Sequence, residues 1–340
     1  MLFDNPLYRD SVLRIAKELP VNSGRILITG ASGLIGTCLV DVFQIANDML
    51  DCSFEIYALG RNIDRLNSKF SASRDVHCVA QNIVEPVEIE GLTHIIHTAS
   101  NADPRSYALY PAETILTNVI GAKSVLDYCK NSKNTRVLFT STFEVYGKLD
   151  QDEYGEDDFG IIDNKQLRYC YSESKRTAEF LFRSYHDEYG VDCVIARLSS
   201  IYGPTMLDND SKAHAQFLRN ALNSENIVLK SEGKQKRTYC YVMDAVSGLL
   251  AVLFKGTSGE AYNIANDKSV ATIAEVAQTI ADIAGTKVIF DLPDGIESKG
   301  FSKPQNVVLK TDKLKSLGWS GKYTLLEGLT DTLAIMRSNI

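Results

Sequence analysis

The chain has 340 residues, of which 44% are hydrophobic and 23% charged, a composition typical of folded globular proteins. Its net charge of −7 at pH 7, without a dense Lys/Arg run or an apolar stretch of about 18 residues, argues against nucleic acid and membranes as partners. The seven cysteines form no CxxC pair and no leader-like segment is evident, so we expect reduced thiols, no metal and a cytoplasmic location.

Residues 1–22 are predicted to form a helical extension ahead of the first strand. Asp10 and Ser11 have the side chains of a helix cap, and apolar residues follow them at helical spacing. These apolar residues are Val12, Ile15, Ala16 and Leu19. We expect the helix to pack on the domain that follows.

From residue 25 onward, short apolar runs alternate with longer helical patterns. The runs predicted as strands are residues 25–29, 56–59, 94–97, 137–139 and 194–196. Such alternation is typical of βαβ units. It predicts an α/β fold in which residues 23–200 form a doubly wound parallel Rossmann sheet.

After Tyr202-Gly203-Pro204 the predicted helices become shorter and the strand-like runs become isolated. This change predicts a smaller α/β substrate-binding lobe, formed mostly by residues 201–340. Strand-like runs at 227–229 and 288–290 are short, and the turns are rich in Gly, Asn, Asp and Pro. A return segment at about 237–266 is expected to rejoin the first domain. The two units would then be interleaved around a cleft.

A glycine-rich turn joins the first predicted strand to an apolar helix. Glycine lets the backbone turn sharply and approach a pyrophosphate, whose charge is stabilised by the free N–H groups at a helix start. The glycines follow the pattern GxxGxxG, which points toward short-chain dehydrogenases. The predicted dinucleotide-contacting residues of this loop are Gly30, Ser32, Gly33, Leu34, Ile35 and Gly36.

The residue after the second strand bears on the choice between NAD and NADP. An acidic side chain there commonly binds the ribose of NAD, whereas an arginine accommodates the extra phosphate of NADP. Here the strand ends in Leu59-Gly60-Arg61. The cofactor is therefore NAD or NADP, and Arg61 favours NADP.

Three residues form a candidate catalytic group. Thr142 follows the strand at 137–139, at the edge where open parallel sheets bind ligands. Tyr171 and Lys175 are four residues apart, so on a helix they share one face. An ammonium about 4 to 6 Å from a phenol should lower the phenol pKa from about 10 toward neutral. Tyr171 could then exchange a proton with a sugar hydroxyl.

Taken together, these motifs resemble the extended short-chain dehydrogenase/reductase family, the epimerases, dehydratases and decarboxylases of nucleotide sugars. The resemblance extends over nearly the whole chain. Besides the glycine loop and the Thr142, Tyr171 and Lys175 group, it includes His97-Thr98-Ala99, Asn118, Arg197, Tyr202-Gly203-Pro204 and the segment from Arg237 to Asp244.

The resemblance implies roles for individual residues. Tyr171 would be the acid/base, Lys175 would hold the nicotinamide ribose and Thr142 would bond the reacting hydroxyl. It also implies a nucleotide-diphosphate sugar as substrate and a homodimer built on the helices that carry Asn118 and Tyr171. Further cofactor contacts would come from Asn82, Ile83, Thr98 and Ala99. Further substrate contacts would come from Asn118, Ser200 and Arg237, the last clamping the diphosphate with its guanidinium fork.

The pair Phe143-Glu144 separates the possible reactions. Dehydratases of the family have Asp-Glu at this place, so Phe143 disfavours dehydration, while UDP-glucuronate decarboxylases have Ser-Glu and keep the glutamate. Glu144 is therefore a fourth candidate catalytic residue, acting on the proton at C5 of the sugar. A C4 epimerase, an NADP-dependent reductase of a keto sugar or ketose, and a catalytically silent dinucleotide-sensing scaffold stay open as alternatives.

Overall fold

The computed structural model describes residues 2–70, 73–292 and 305–338. The helices in these ranges are α1 Pro6–Ala16, α2 Leu34–Met49, α3 Ile63–Phe70, α4 Pro104–Leu109, α5 Pro111–Asn131, α6 Cys170–Tyr189, α7 Ala213–Leu222, α8 Val242–Lys255, α9 Ile273–Ala284, α10 Asp312–Ser316 and α11 Leu325–Arg337. The strands are β1 Ser23–Thr29, β2 Ser53–Gly60, β3 Val76–Ala80, β4 His94–His97, β5 Arg136–Thr142, β6 Glu153–Tyr154, β7 Cys193–Leu198, β8 Ser200–Tyr202, β9 Ile227–Leu229, β10 Lys236–Tyr241, β11 Ala261–Ile264, β12 Val270–Thr272, β13 Val288–Phe290 and β14 Val308–Leu309.

The main sheet has seven strands in the order β11-β7-β5-β4-β1-β2-β3, and every neighbouring pair is parallel. The predicted doubly wound parallel sheet is therefore confirmed. Strand β5 is buried almost throughout, and β1 is buried over its last four residues, because helices cover both faces of the sheet. This burial explains their continuous apolar runs. The strand order reverses between β1 and β4, the point where such sheets bind ligands.

A second group of shorter elements lies beyond the carboxyl end of β7. Strands β8, β10 and β12 form a three-stranded sheet, and β9 pairs with β13. Strand β10 belongs to this small sheet, whereas α8 and β11 carry the chain back to the edge of the main sheet. The two units are thus interleaved in sequence. Among the helices of the three described ranges, none has the length and apolar character needed to cross a membrane.

The N-terminal helix begins earlier than the sequence suggested. Asn5 caps it by accepting a hydrogen bond from the Tyr8 amide at 3.1 Å, and Pro6 occupies the first turn, so the cap predicted at Asp10 and Ser11 is wrong. Proline suits this position because its missing N–H would be unpaired there anyway. Helix α1 packs on α2, the helix that follows the glycine loop.

A buried polar contact joins these two helices. The Tyr8 hydroxyl donates to the Asp41 carboxylate at 2.5 Å, and both side chains are buried. Burial raises the pKa of Asp41 from 3.8 to about 7, although the Tyr8 hydrogen bond and the Lys69 charge oppose the shift. The folded state therefore holds a proton on Asp41 that the unfolded chain releases at lower pH.

We expect Asp41→Asn to stabilise the protein relative to wild type, by an amount that grows as pH rises from about 4 to about 7 and then stays constant. The sign follows because a raised carboxyl pKa stabilises the folded state at low pH, and this stabilisation is lost as pH rises through the folded-state value. The difference should stay below about 4 kcal/mol, since each tenfold change in proton affinity is about 1.4 kcal/mol. Urea unfolding at pH 5 and pH 8 measures it, with the exposed Asp10→Asn as control. A difference that is the same at both pH values would contradict this prediction.

Candidate active site

The glycine loop forms a close-packed turn between β1 and α2. Gly30 has φ +68°, and a Cβ there would lie 2.9 Å from the Ala99 backbone. A Cβ at Gly36 would lie 2.3 Å from the Gly30 carbonyl oxygen. Helix α2 follows Gly33 without a side-chain cap, so its first N–H groups are available to an anion. The loop therefore fits the pyrophosphate of a dinucleotide, with Ser32, Leu34 and Ile35 in the same turn.

The end of β4 closes the opposite side of this turn. The Thr98 hydroxyl donates to the Thr29 carbonyl at 2.6 Å, and the Ala99 amide donates to the Thr29 hydroxyl at 3.1 Å. These bonds hold Thr98 and Ala99 against the glycine loop. His97 is buried, with Nδ1 2.8 Å from the Thr29 hydroxyl and its ring stacked on Phe139, so it packs at the strand end.

Arg61 follows β2 directly and forms an ion pair with Glu113 in the first turn of α5. The guanidinium and carboxylate are 3.3 Å apart, and the side chains are 70% and 57% exposed. A carboxylate therefore lies beside the cation that the sequence analysis assigned to the NADP phosphate. On the neighbouring loop, Asn82 is exposed, whereas Ile83 is buried and packs against Gly121 of α5.

The structure brings Thr142, Tyr171 and Lys175 together. Thr142 is the last residue of β5, and its side chain and that of Ser100 lie close enough to the Tyr171 phenol to oppose the rise of its pKa. One turn along α6, the Lys175 ammonium donates to the Thr140 carbonyl at 2.8 Å and lies above the Phe139 ring. Tyr171 and Lys175 are both buried.

The pKa of Tyr171 moves in the direction opposite to our expectation. Burial raises it above 10, and the nearby Glu144 charge raises it further. Burial also lowers the pKa of Lys175 to about 7, and its ammonium is bound to the Thr140 carbonyl. The prediction that Lys175 lowers the pKa of Tyr171 is therefore wrong for this structure, because loss of hydration and a neighbouring carboxylate dominate.

Glu144 lies in a short 3₁₀-helix, Phe143–Tyr146, that follows β5. Its amide donates to the Thr142 hydroxyl at 3.3 Å, and its carboxylate accepts a hydrogen bond from Ser172 at 2.9 Å. Because Ser172 follows Tyr171 on α6, the carboxylate is held beside the phenol. It is half-buried and so keeps one side open to a ligand.

Asn118 lies too deep for the direct substrate contact that the resemblance implied. It is fully buried, accepts a hydrogen bond from Ser100 at 2.7 Å and donates to Ser174 at 2.9 Å. Both ends of its amide are therefore occupied within the protein. Asn118 positions Ser100, whose side chain lies near the Tyr171 phenol.

Two residues of the smaller lobe face this group. Arg237 lies in β10, with its guanidinium carbon 5.3 Å from the centre of the Phe143 ring. Such stacking contributes about 0.5–1 kcal/mol at a partly exposed site. Phe143 stands between Thr142 and Glu144 in the sequence, so this contact brings Arg237 to the segment that carries both residues. Ser200 is half-buried at the start of β8, opposite Tyr239 of β10.

Sequence reasoning missed several residues of the site. Ser172 could have been noticed because it follows Tyr171, but the role of Ser100 depends on the packing of α5 against α6. Tyr107, stacked on Tyr171, gave no motif signal. A groove of about 580 Å³ between α5 and residues 84–91 is lined by none of the predicted site residues.

Comparisons with known proteins agree with this geometry. The sequence profile of the NAD dependent epimerase/dehydratase family matches residues 26–265. UDP-glucuronic acid decarboxylase 6 of Arabidopsis thaliana is 33% identical over 323 residues, covering 94% of this chain and 90% of the relative. A dTDP-glucose 4,6-dehydratase of Streptomyces venezuelae, solved with NAD bound, is 25% identical with a TM-score of 0.78, covering 93% of this chain and 97% of that one. The UDP-glucose 4-epimerase of Thermotoga maritima, solved with UDP-glucose, has the same fold with a TM-score of 0.78 at 22% identity, covering 93% and 99%.

Proposed function

Because the chain belongs to the NAD-dependent epimerase/dehydratase family and is an enzyme, we propose that it decarboxylates UDP-glucuronic acid with a hydride that is borrowed and returned. The observation that carries this proposal is the Glu144 carboxylate, bonded to Ser172 and held beside Tyr171 and Thr142. The similarity to UDP-glucuronic acid decarboxylases over 94% of the chain supports the choice of substrate.

The residues divide the proton chemistry between two carbons of the sugar. Thr142 orients the C4 hydroxyl, and Tyr171 takes its proton as the carbon is oxidised. Bound NAD supplies the hydride acceptor, and its positive charge favours the phenolate. A C4 ketone makes the sugar a β-keto acid, which loses carbon dioxide without a strong base. Glu144 takes up a proton from solvent on its open side and delivers it to C5. Tyr171 then returns its proton to the C4 oxygen as the hydride returns to C4.

Other residues bind and orient the reactants. The N–H groups at the start of α2 would hold the cofactor pyrophosphate, with Lys175 near the nicotinamide ribose. Arg237, supported by Phe143, would clamp the diphosphate of the nucleotide sugar. Ser200 lies on the same small sheet and would contact the same ligand.

We expect the purified enzyme with NAD to convert UDP-glucuronic acid into carbon dioxide and a UDP-pentose without stoichiometric NADH. Glu144→Gln should lower kcat by about 100-fold, since a positioned acid or base contributes about that much, and Tyr171→Phe should abolish turnover. Glu173→Gln is the matched control, because Glu173 is a second glutamate near the site, on α6 with Tyr171, and pairs only loosely with Arg176 at 3.9 Å.

Product analysis by mass spectrometry and trapping of carbon dioxide check these outcomes. A product that keeps all its carbons would indicate an epimerase. Consumption of one NADPH per product would indicate a reductase. Turnover of Glu144→Gln within threefold of wild type would remove Glu144 from the chemistry.

We further propose that the cofactor is NAD, against the initial preference for NADP. The support is the Arg61–Glu113 pair, because a 2′-phosphate bound by Arg61 would also face the Glu113 carboxylate. The exposed ion pair contributes at most about 1 kcal/mol to the stability of the fold. Its main effect is therefore to place a negative charge beside the position that the cofactor's adenosine ribose would occupy.

Glu113→Gln should tighten NADPH binding about fivefold, the effect of removing roughly 1 kcal/mol of repulsion, and leave NADH binding within about twofold of wild type. Arg61→Ala should weaken NADPH binding without a comparable effect on NADH. Fluorescence titration of the reduced cofactors measures both, with the exposed Glu90→Gln as control. Tighter binding of NADPH than NADH by wild-type protein would overturn the proposal.

The outer faces of α5 and α6 support a homodimer as the assembly. These adjacent helices expose large apolar side chains, namely Ile115, Leu116, Ile120 and Phe180. Phe180 is 74% exposed, which is unusual for a large aromatic residue on a regular helix. A second copy related by a twofold axis would cover the same surface on both partners.

Phe180→Glu should convert the dimer into a monomer, because two carboxylates would be placed at an apolar interface. Light scattering coupled to size-exclusion chromatography gives the mass directly. Phe159→Glu is the control, since Phe159 is 85% exposed and lies in the loop before α6 rather than on its outer face. A wild-type protein that elutes as a monomer at micromolar concentration would contradict the assembly.

A further inference from the structure

Helix α4 is a six-residue segment, Pro104–Leu109, between β4 and α5. Tyr107 is its one buried side chain, 3% exposed, whereas the following Leu109 and Tyr110 are 62% and 58% exposed. A helix this short gains little stability from its own hydrogen bonds, so its position depends on tertiary contacts. Those contacts are concentrated on Tyr107 and on the cap residue Asp103.

Tyr107 covers the ring of Tyr171. The two ring centres are 5.2 Å apart and the planes differ by 11°, a stacked arrangement. The Cys170 thiol also donates to the Tyr107 carbonyl at 3.5 Å, which ties the backbone of α4 to the residue before Tyr171. Tyr107 therefore forms one wall around the proposed acid/base and keeps water from that side.

Asp103 connects this wall to the other lobe. One carboxylate oxygen caps α4 by accepting from the Ser106 amide at 3.0 Å. The other accepts two hydrogen bonds from Ser211, from its amide at 2.8 Å and its hydroxyl at 2.6 Å. The Ser211 hydroxyl in turn accepts from the Arg105 amide at 3.4 Å. Ser211 lies just before α7 of the smaller lobe, so this junction spans more than 100 residues of sequence.

We propose that Tyr107 is a positioning residue for Tyr171, and that the Asp103–Ser211 junction makes this positioning depend on the smaller lobe. The ring of Tyr107 fixes the orientation of the Tyr171 phenol and excludes water from it. Acid/base residues need such support because small misplacements cost large factors in rate. The junction ties the position of α4, and with it that of Tyr107, to the smaller lobe. The inference rests on the proposed role of Tyr171.

The first test measures how well Tyr107 shields Tyr171 from solvent, and it needs no substrate. Tetranitromethane nitrates accessible tyrosines, and peptide mass spectrometry reports the extent at Tyr171. We expect nitration of Tyr171 to increase in Tyr107→Ala and, to a smaller degree, in Ser211→Ala, which removes one of the two Ser211 bonds. Tyr107→Phe keeps the ring and should protect Tyr171 as wild type does. Leu109→Ala, an exposed position on the same helix, is the matched control.

The second test measures turnover of UDP-glucuronic acid. Tyr107→Ala should lower kcat about tenfold or more, the usual effect of a loosened catalytic group, while Tyr107→Phe restores most of it. Ser211→Ala should lower kcat in the same direction with a smaller effect. Equal losses in Tyr107→Phe and Tyr107→Ala would show that the hydroxyl, and not the ring, is what matters, and would overturn the proposal.

Failure of this inference is distinguishable from failure of the proposed function. If wild type does not decarboxylate UDP-glucuronic acid but nitration follows the expected order, the reaction is wrong and the positioning role stands. If wild type is active but neither nitration nor kcat responds to Tyr107→Ala, the positioning role is wrong. Thermal unfolding of each variant checks that substitutions in α4 do not unfold the chain. If Tyr107→Ala does unfold it, Ser211→Ala provides a milder change with which to test the same inference.

Discussion

The contact between the Lys175 ammonium and the Thr140 carbonyl holds the candidate site together. It links α6 to the carboxyl end of β5, and because Lys175 is buried, the charge is bound inside the protein. Burial removes hydration from the ammonium and lowers its pKa to about 7, and the Thr140 carbonyl supplies a partner for the charge. Tyr171 lies one turn earlier on the same helix, so this anchoring places its phenol beside Thr142, and Ser172 beside Glu144.

Two further sets of contacts connect this part of the site to the rest of the protein. Toward α5, Asn118 connects Ser100 and Ser174, so the phenol is held from a second helix. Toward the smaller lobe, Arg237 rests on the Phe143 ring. The residue that distinguishes this chain from the Ser-Glu and Asp-Glu patterns thus packs against a guanidinium of the smaller lobe, a contact that an aromatic side chain can make.

Thr142, Tyr171 and Lys175 are buried in the resulting site, whereas Glu144 is half-buried. Burial raises the pKa of Tyr171, and the neighbouring carboxylate of Glu144 adds to the shift. Such a phenol holds its proton more tightly than an exposed tyrosine does, and a positive charge close to it favours release of the proton.

The amino-acid sequence by itself determined the parallel sheet, the glycine loop and the group of Thr142, Tyr171 and Lys175. Those features depend on local spacing: apolar runs, glycines that must avoid a Cβ, and two residues one helical turn apart. It did not reveal β3 and β11 at the sheet edges, nor the start of α1 at Pro6. Only the tertiary structure decided that Glu113 faces Arg61, that Asn118 is buried, and that Asp103 and Ser211 join the lobes. The residues in these contacts are far apart in sequence. They come together only when whole helices and strands pack, so a local pattern of residues does not predict the contacts.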